Sequence, residues 1–478
     1  MRKTKIAPYI KEDCPKINFS GIYGASPKKN ILYRIPVSGK RPINIMVDNL
    51  PDTMKLDGEI LSGYIEKEGK YTILITAENP YGKDQRELLL DIANDNIGLT
   101  PLMGWTSWNA FAWGVTQEKI WETAKLLVSS GMTDFGYQYI NVDSTWQGNY
   151  GGKYNAIMPN EKFPDMKNLC DSIHSLGLKC GIYSTPMLNA WGDKDGALGI
   201  PGCTRGVPDP KFSDMMGGIG TERFEKENVV QWEEWGFDYL KYDWDPCDPY
   251  NANIMKQALV NSSRDFMFCV TVAADIKYAN FWTKNCNSWR DNKDSMDDWQ
   301  RVVDIYDSGK KWNKHIVPGH FFDYDMLETG YRNSGECKLS EDEQIFSMSF
   351  RAFFNSPIQV SCDLSKLTDF DMALYCNNEI ISVNQDSLCS TAECIIEKSI
   401  HTDTVNTRIE VYKKKLLGDK IALGIFNPGE TEENVSIPLE NKSLARDNWA
   451  KEDIGVFDKT LDFSVPPHTA RIITLSSI

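Results

Sequence analysis

The stretch Trp235-Gly-Phe-Asp-Tyr-Leu-Lys-Tyr-Asp-Trp-Asp245 decides the fold. Tyr239–Tyr242 reads as a short buried strand that runs into a carboxylate, Asp243. Lys241 lies two residues earlier and so shares a strand face with Asp243. An acid at the C-terminal end of a buried strand is where an α/β barrel keeps its reactive groups.

Working outward, strands alternate with helical segments from about residue 99 to 390, which signals a parallel sheet. The strand candidates are Pro101–Trp105, Tyr137–Asp143, Lys179–Ser184, Tyr239–Asp243, Phe266–Thr271, Ser288–Asp291, His315–Gly319 and Ile358–Asp363. Between them, Gln117–Ser130, Asp165–Leu176, Glu222–Trp235 and Asp342–Phe354 read as helices. Eight strands in that pattern predict a (β/α)8 TIM barrel. A doubly wound open sheet would carry a Gly-rich turn after its first strand, and the sequence has none there.

Both flanks read differently. Ile31–Pro36, Ile43–Val47, Tyr71–Ala77 and Glu87–Ile92 alternate apolar and polar residues, as half-buried strands do. They predict an immunoglobulin-like β-sandwich over residues 1–96. Arg408–Tyr412, Lys420–Phe426, Asn434–Pro438 and Ala470–Leu475 predict a C-terminal antiparallel β-sandwich over residues 391–478. The barrel then occupies residues 97–390.

The chain has 478 residues and a net charge of -15, which argues against nucleic acid because phosphate binding needs a basic footprint. Its 14 Trp, 20 Tyr and 20 Phe suit a neutral, hydroxyl-rich ligand such as a carbohydrate. No apolar run is long enough for a membrane span, and no signal peptide is visible. The 12 Cys and 5 His show no metal-like spacing, so no metal is expected.

The strand ends supply the candidate site: Trp105, Trp108, Asp143, Tyr183, Lys241, Asp243, Thr271, Arg290, Asp294, Asp323 and Asp325. A strand-end Asp can also cap the next helix. A set with Lys241 and Arg290 interleaved points instead to chemistry on a sugar. Glycoside hydrolysis uses two carboxylates around an oxocarbenium-like transition state. Asp243 would be ionised, with Lys241 beside it favouring that form. Asp294, in a drier place, would be the protonated acid. Arg290 would hold a sugar hydroxyl as a fixed donor fork, and Trp105 and Trp108 would offer ring faces. That chemistry needs carboxylates and water, so no cofactor is expected.

Thr100-Pro-Leu-Met-Gly-Trp-Thr-Ser-Trp-Asn109 resembles the opening motif of glycoside hydrolase family 27, the α-galactosidases and α-N-acetylgalactosaminidases. Tyr139–Asp143, Gly177–Tyr183, Asp238–Asp243, Trp289-Arg290 with Asp294, Pro318–His320 with Asp323–Leu327, Ser356–Ile358 with Cys362–Leu364, and Val383–Asp386 continue the likeness in order. The resemblance covers residues 99–478. The N-terminal residues look like the module that some bacterial members carry.

The resemblance implies a retaining exo-glycosidase that releases terminal α-D-galactosyl residues by double displacement. Asp243 would be the nucleophile and Asp294 the acid/base. Trp108, Asp143, Tyr183, Lys241 and Arg290 would line the sugar subsite, with Asp325 in support. The sequence departs from the pattern at Asp143-Ser144, where the family has two consecutive acids for the sugar's O4 and O6. Thr271 and Ala274 stand where α-galactosidases carry bulkier groups near C2. Both leave room for a related sugar: an α-N-acetylgalactosaminide, a β-L-arabinopyranoside or an isomaltosyl group. The remaining alternative is a carbohydrate-binding barrel without catalysis. Cys247 is expected to pair with Cys203, and the substrate class implies a periplasmic or secreted protein.

Overall fold

The computed structural model describes residues 2–191, 198–215, 217–401 and 406–478. At its centre lies a parallel sheet of eight strands: β1 Met103–Thr106, β2 Tyr139–Val142, β3 Lys179–Ser184, β4 Tyr239–Asp243, β5 Met267–Thr271, β6 Ser288–Trp289, β7 Phe321–Phe322 and β8 Ile358–Val360. Neighbours follow the order β7-β6-β5-β4-β3-β2-β1-β8, so β8 pairs with β1 as a TIM-like ring requires. The β7–β8 gap is spanned by a parallel bridge between Leu327 and Val360. Every residue of β5 is buried, as expected of a strand covered on both faces.

Several strand bounds depart from the sequence reading: the first and second strands start at Met103 and Tyr139 instead of Pro101 and Tyr137, and the eighth ends at Val360 instead of Asp363. The seventh was expected at His315–Gly319 but is Phe321–Phe322. His315 ends a short 3-10 turn, and Val317 pairs with His320 around Pro318-Gly319, with Gly319 at φ +86°. The Pro-Gly pair makes a turn there, so the strand starts only after it. The sixth strand ends at Trp289 instead of Asp291, which places Arg290 at the mouth of the ring.

The helices start where side chains can satisfy their first N–H groups. Asp165, Asp248 and Asp298 cap the helices Met166–Ser175, Pro249–Val260 and Trp299–Lys310. Ser340 and Glu343 form a capping box on Glu341–Phe353. The capping carboxylates are therefore separate from Asp143 and Asp243. Among the described residues, no helix is long and apolar enough to cross a membrane.

Before the barrel, a four-stranded sheet (Ile22–Ala25, Gly82–Ile92, Gly69–Asn79, Asn44–Asp48) and a three-stranded one (Ile31–Arg34, Ile60–Gly63, Met54–Asp57) enclose one core. Alternation builds it, with Ile73, Ile75 and Ala77 fully buried on one face of their strand. This unit meets the barrel through Arg34, which donates to the Leu176 carbonyl at 2.9 Å, and through Asn18, which donates to the Asp134 carbonyl at 2.8 Å.

After the barrel, a six-stranded antiparallel sheet runs in the order Glu393–His401, Asn406–Leu416, Lys420–Asn427, Thr469–Ser477, Ser443–Asp447, Glu452–Phe457. A two-stranded sheet, Glu433–Pro438 with Thr460–Val465, shares its core. Helix Glu341–Phe353 receives this unit: Trp449 Nε1 donates to Ser349 Oγ at 2.9 Å. All twelve cysteines are free thiols. The expected Cys203–Cys247 bridge is absent; Cys203 Sγ lies 3.0 Å from Ser184 Oγ, and Cys247 Sγ donates to the Trp244 carbonyl.

Candidate active site

Strand register assembles the site. In the parallel β4–β5 pair, Asp243 stands beside Thr271. The Thr271 hydroxyl donates to Asp243 Oδ1 at 2.7 Å. Thr271, expected to leave space beside the sugar, thus also holds the Asp243 carboxylate. Asp243 is 8% exposed, and burial pushes its carboxyl up to about 6. Lys241, Arg290 and the Thr271 hydrogen bond pull it down, while the charge of Asp294 pushes it up.

Lys241 does not pair with Asp243. Its ammonium donates to Asp143 Oδ2 at 2.8 Å, with β3 between their two strands. Lys241 and Asp243 stand side by side on one strand face, and the lysine reaches across the ring to Asp143. Asp143 is buried, and its other oxygen accepts from the Ser144 N–H at 2.8 Å. Tyr183, in register with Lys241 on the adjacent strand, places its ring 5.6 Å from the ammonium. Burial and the carboxylates of Asp243 and Asp143 hold the Tyr183 phenol protonated.

Arg290 is buried and forms ion pairs with Asp325 and, at 2.8 Å, with Asp294 Oδ1. The guanidinium is thus shared between two carboxylates, while its Nε has no hydrogen-bond partner among the described residues. Burial opposes the guanidinium's charge, but Asp325, Asp294 and Asp243 together raise its pKa. Asp325, at φ +69°, follows β7. Burial alone would raise its carboxyl, but Arg290 and Lys241 bring it below the ordinary range.

Asp294 sits in the loop after β6 with its side chain 81% exposed. The expected drier environment is not present here. Trp105 also differs from expectation: it is fully buried, and its Nε1 donates to the Cys362 carbonyl, so it supports the barrel and offers no face to a ligand. Trp108 is half-buried beside Trp113 at the ring mouth. Ser144 Oγ is buried with no hydrogen-bond partner among the described residues, as are both polar atoms of the Asn292 amide.

A supporting layer escaped the sequence reading. Ser295, next to Asp294, donates its N–H to Asp325 Oδ2 at 2.7 Å and its hydroxyl to Glu328 Oε1 at 2.9 Å. Glu328 also accepts from Asn109 and pairs with Arg332, which pairs with Asp297. Arg351 donates to the carbonyls of Tyr324, Asp325 and Met326 and so fixes the backbone that carries Asp325. Burial lowers its guanidinium to about 10. None of this was visible in the sequence: Glu328 and Arg332 lie in a loop and a short strand, where a spacing of four carries no pairing rule, and the partners of Arg351 are backbone carbonyls brought in by the fold.

The site thus holds a buried carboxylate with a raised pKa, a second carboxylate on a fixed arginine, and buried polar groups awaiting partners. Two carboxylates at one ring mouth can perform acid-assisted displacement at an acetal carbon.

The sequence profile of the family described as "Alpha galactosidase A" matches residues 100–203 and 212–386. The chain is similar to alpha-galactosidase 2 of Arabidopsis thaliana, 29% identical over 85% of this chain and 96% of the relative. It is similar to the alpha-galactosidase of Cyamopsis tetragonoloba, 30% identical over 80% of this chain and 88% of that one. A Bacteroides fragilis crystal structure, provisionally called an alpha-galactosidase, superposes with a TM-score of 0.85. It is 25% identical and covers 99% of this chain and 100% of its own.

Proposed function

The chain belongs to the alpha galactosidase A family, and from that premise we propose how its residues carry out hydrolysis of terminal α-galactosides. It is an alpha-galactosidase-type glycosidase, and retention is general to its family. The observation that carries the residue roles is Asp243: a buried carboxylate at the end of β4, aimed by Thr271 and faced by the Arg290–Asp294 pair.

Asp243 attacks the anomeric carbon while Asp294 gives its proton to the departing oxygen, which breaks the glycosidic bond and forms a glycosyl ester on Asp243. Asp294, now ionised, takes a proton from water as that water attacks the same carbon. The C–O bond to Asp243 breaks, and both carboxyls return to their starting states. Because Asp294 is exposed before substrate arrives, the bound sugar itself supplies the water exclusion around the acid. Trp108, Asp143, Ser144, Tyr183, Lys241, Arg290 and Asp325 form the sugar subsite and its support.

The unpartnered Ser144 hydroxyl favours one second reading, the same displacement on an α-N-acetylgalactosaminide, a β-L-arabinopyranoside or an isomaltosyl group. Two sheets around one core support an immunoglobulin-type module at residues 1–96, ahead of a barrel at 97–390 and a β-sandwich at 391–478. The substrate class argues for a periplasmic or secreted protein. Twelve free thiols weigh the other way, since disulfides persist in oxidising compartments; cell fractionation decides.

The test is a panel of p-nitrophenyl α-galactoside, α-N-acetylgalactosaminide, β-L-arabinopyranoside and α-glucoside, with the first-formed anomer followed by NMR. Release of α-galactose from the α-galactoside, abolished by Asp243→Asn, supports the reading. A β-anomer or a fully active Asp243→Asn variant overturns it.

A further inference from the structure

A cavity of about 340 Å³ lies between the N-terminal sheets and the barrel, on the ring face opposite the active site. Its size falls at the lower end of the roughly 300–1,000 Å³ usual for small-molecule sites. Lys179, the first residue of β3, points its ammonium between two tyrosines, one from each unit. Nζ donates to Tyr23 Oη at 2.9 Å and to Tyr139 Oη at 3.4 Å, with ring centroids at 5.0 and 5.3 Å.

Each phenol oxygen accepts from the lysine, which leaves its own O–H to donate. Among the described residues, neither hydroxyl donates to a protein acceptor. Three donors therefore converge, namely the remaining ammonium proton and two phenol protons, with no acceptor between them.

The other charges that line the cavity are already matched. Asp238 takes Arg264 on one oxygen and His174, at 2.8 Å, with the Cys180 N–H on the other. Asp265 takes Lys29 at 3.4 Å and the Ser26 N–H at 2.8 Å. Lys179 forms no ion pair among the described residues, so one positive charge is left over in a partly desolvated place. Such a charge favours a single-charged anion over a dianion or a neutral guest. The N-terminal side of the cavity adds the Tyr33 ring, 5.0 Å from that of Tyr23, and Asn30, a mixture of flat apolar and amide surface that a pyranose uses.

We propose that this cavity is a second ligand site, separate from the catalytic centre, and that it takes a hexuronate: the carboxylate on Lys179, Tyr23 and Tyr139, the sugar ring against the N-terminal wall.

The experiment is titration calorimetry of the full chain with D-glucuronate while D-galactose saturates the active site. One glucuronate bound per chain is expected. Lys179→Met should weaken it by about tenfold or more, the scale of one hydrogen bond to a charged group, with galactose binding unchanged. Tyr23→Phe keeps the ring and removes one donor, so it should weaken binding several-fold and carries the test if Lys179→Met does not fold. Methyl glucuronoside separates the sources: binding places the ligand at a glycan end, and loss of binding places it as the free acid. The proposal is overturned by no glucuronate binding, by its displacement with galactose, by equal affinity in both variants, or by tighter binding of inorganic phosphate.

Discussion

The Lys241 ammonium hydrogen-bonds Asp143 Oδ2 at 2.8 Å across the inside of the ring, past β3. Asp243, two residues along the lysine's own strand, is left to Thr271. This pairing gives the buried Asp143 carboxylate a cation without tying up the proposed nucleophile, and it holds Asp143 in place beside the proposed sugar subsite.

Lys241→Met should therefore act first through Asp143. It leaves a buried carboxylate unpaired, a change that costs about 3–5 kcal/mol in comparable cases. Denaturant unfolding should show a loss of that order. The double variant Lys241→Met/Asp143→Asn should recover most of the stability and none of the activity, because the interaction energy belongs to the pair. Additive losses would show that the two side chains are independent.

The Thr271 hydroxyl lowers the carboxyl of Asp243, which burial holds at about 6. A nucleophile must be ionised, so kcat/KM should fall as the pH drops through about 6. Thr271→Val removes a stabilising donor from the charged form, so the acid limb should move to higher pH and kcat should drop. Thr271→Ser should restore both. The same raised pKa has a stability consequence of defined sign. The folded state binds the proton more tightly than the unfolded one, so this group's contribution is full below about pH 4 and fades as the pH rises through 6. An unmoved limb in Thr271→Val would remove Thr271 from the positioning of Asp243.

Strand β4 and its terminal acid were legible because five residues carry the signal: a short Tyr-Leu-Lys-Tyr strand interrupted only by Lys241, then the acid Asp243. The seventh strand was misplaced because Val317 and the residues around it are as apolar as a strand, while Pro318-Gly319 imposes a turn that propensity alone ranks below them. Partners across the ring were not legible at all. Lys241 could be placed on a face with Asp243, but only the strand order shows that Asp143 lies within its reach. The burial of Trp105 and the exposure of Asp294 depend on where strands end, which sequence patterns fix only to within a few residues.

Asp294 lies in water, and among the described residues its only ion pair is to Arg290, so its removal should leave the fold almost unchanged, within about 0.5 kcal/mol. Its loss should appear in chemistry. Asp294→Ala should slow hydrolysis of an unactivated oligosaccharide far more than that of a p-nitrophenyl glycoside, whose leaving group needs little proton assistance. Azide should restore turnover on the activated substrate, since a small nucleophile needs no general base. Equal losses on both substrates would count against the acid/base role.

Lys414 provides a prediction away from the site. It enters the barrel from the C-terminal sheet and is 2% exposed, with Nζ donating to Asn355 Oδ1 at 2.7 Å and to the Val383 carbonyl at 2.9 Å. No carboxylate forms an ion pair with it among the described residues, and burial lowers its ammonium to about 7, with Asp386 and the Cys389 thiol opposing. An unfolded lysine titrates near 10.4. Between those values the unfolded chain binds more protons than the folded one, so this residue makes stability rise as the pH climbs from 7 towards 10. Below 7 the folded lysine is charged as well, and the penalty stays constant. Lys414→Met keeps the volume and removes the titration. The melting temperature of the parent chain should therefore gain on that of the variant between pH 7 and pH 9, and the variant should be the more stable of the two near pH 6. Parallel melting curves across that range would show that the ammonium is already satisfied by its two oxygen acceptors and stays charged throughout.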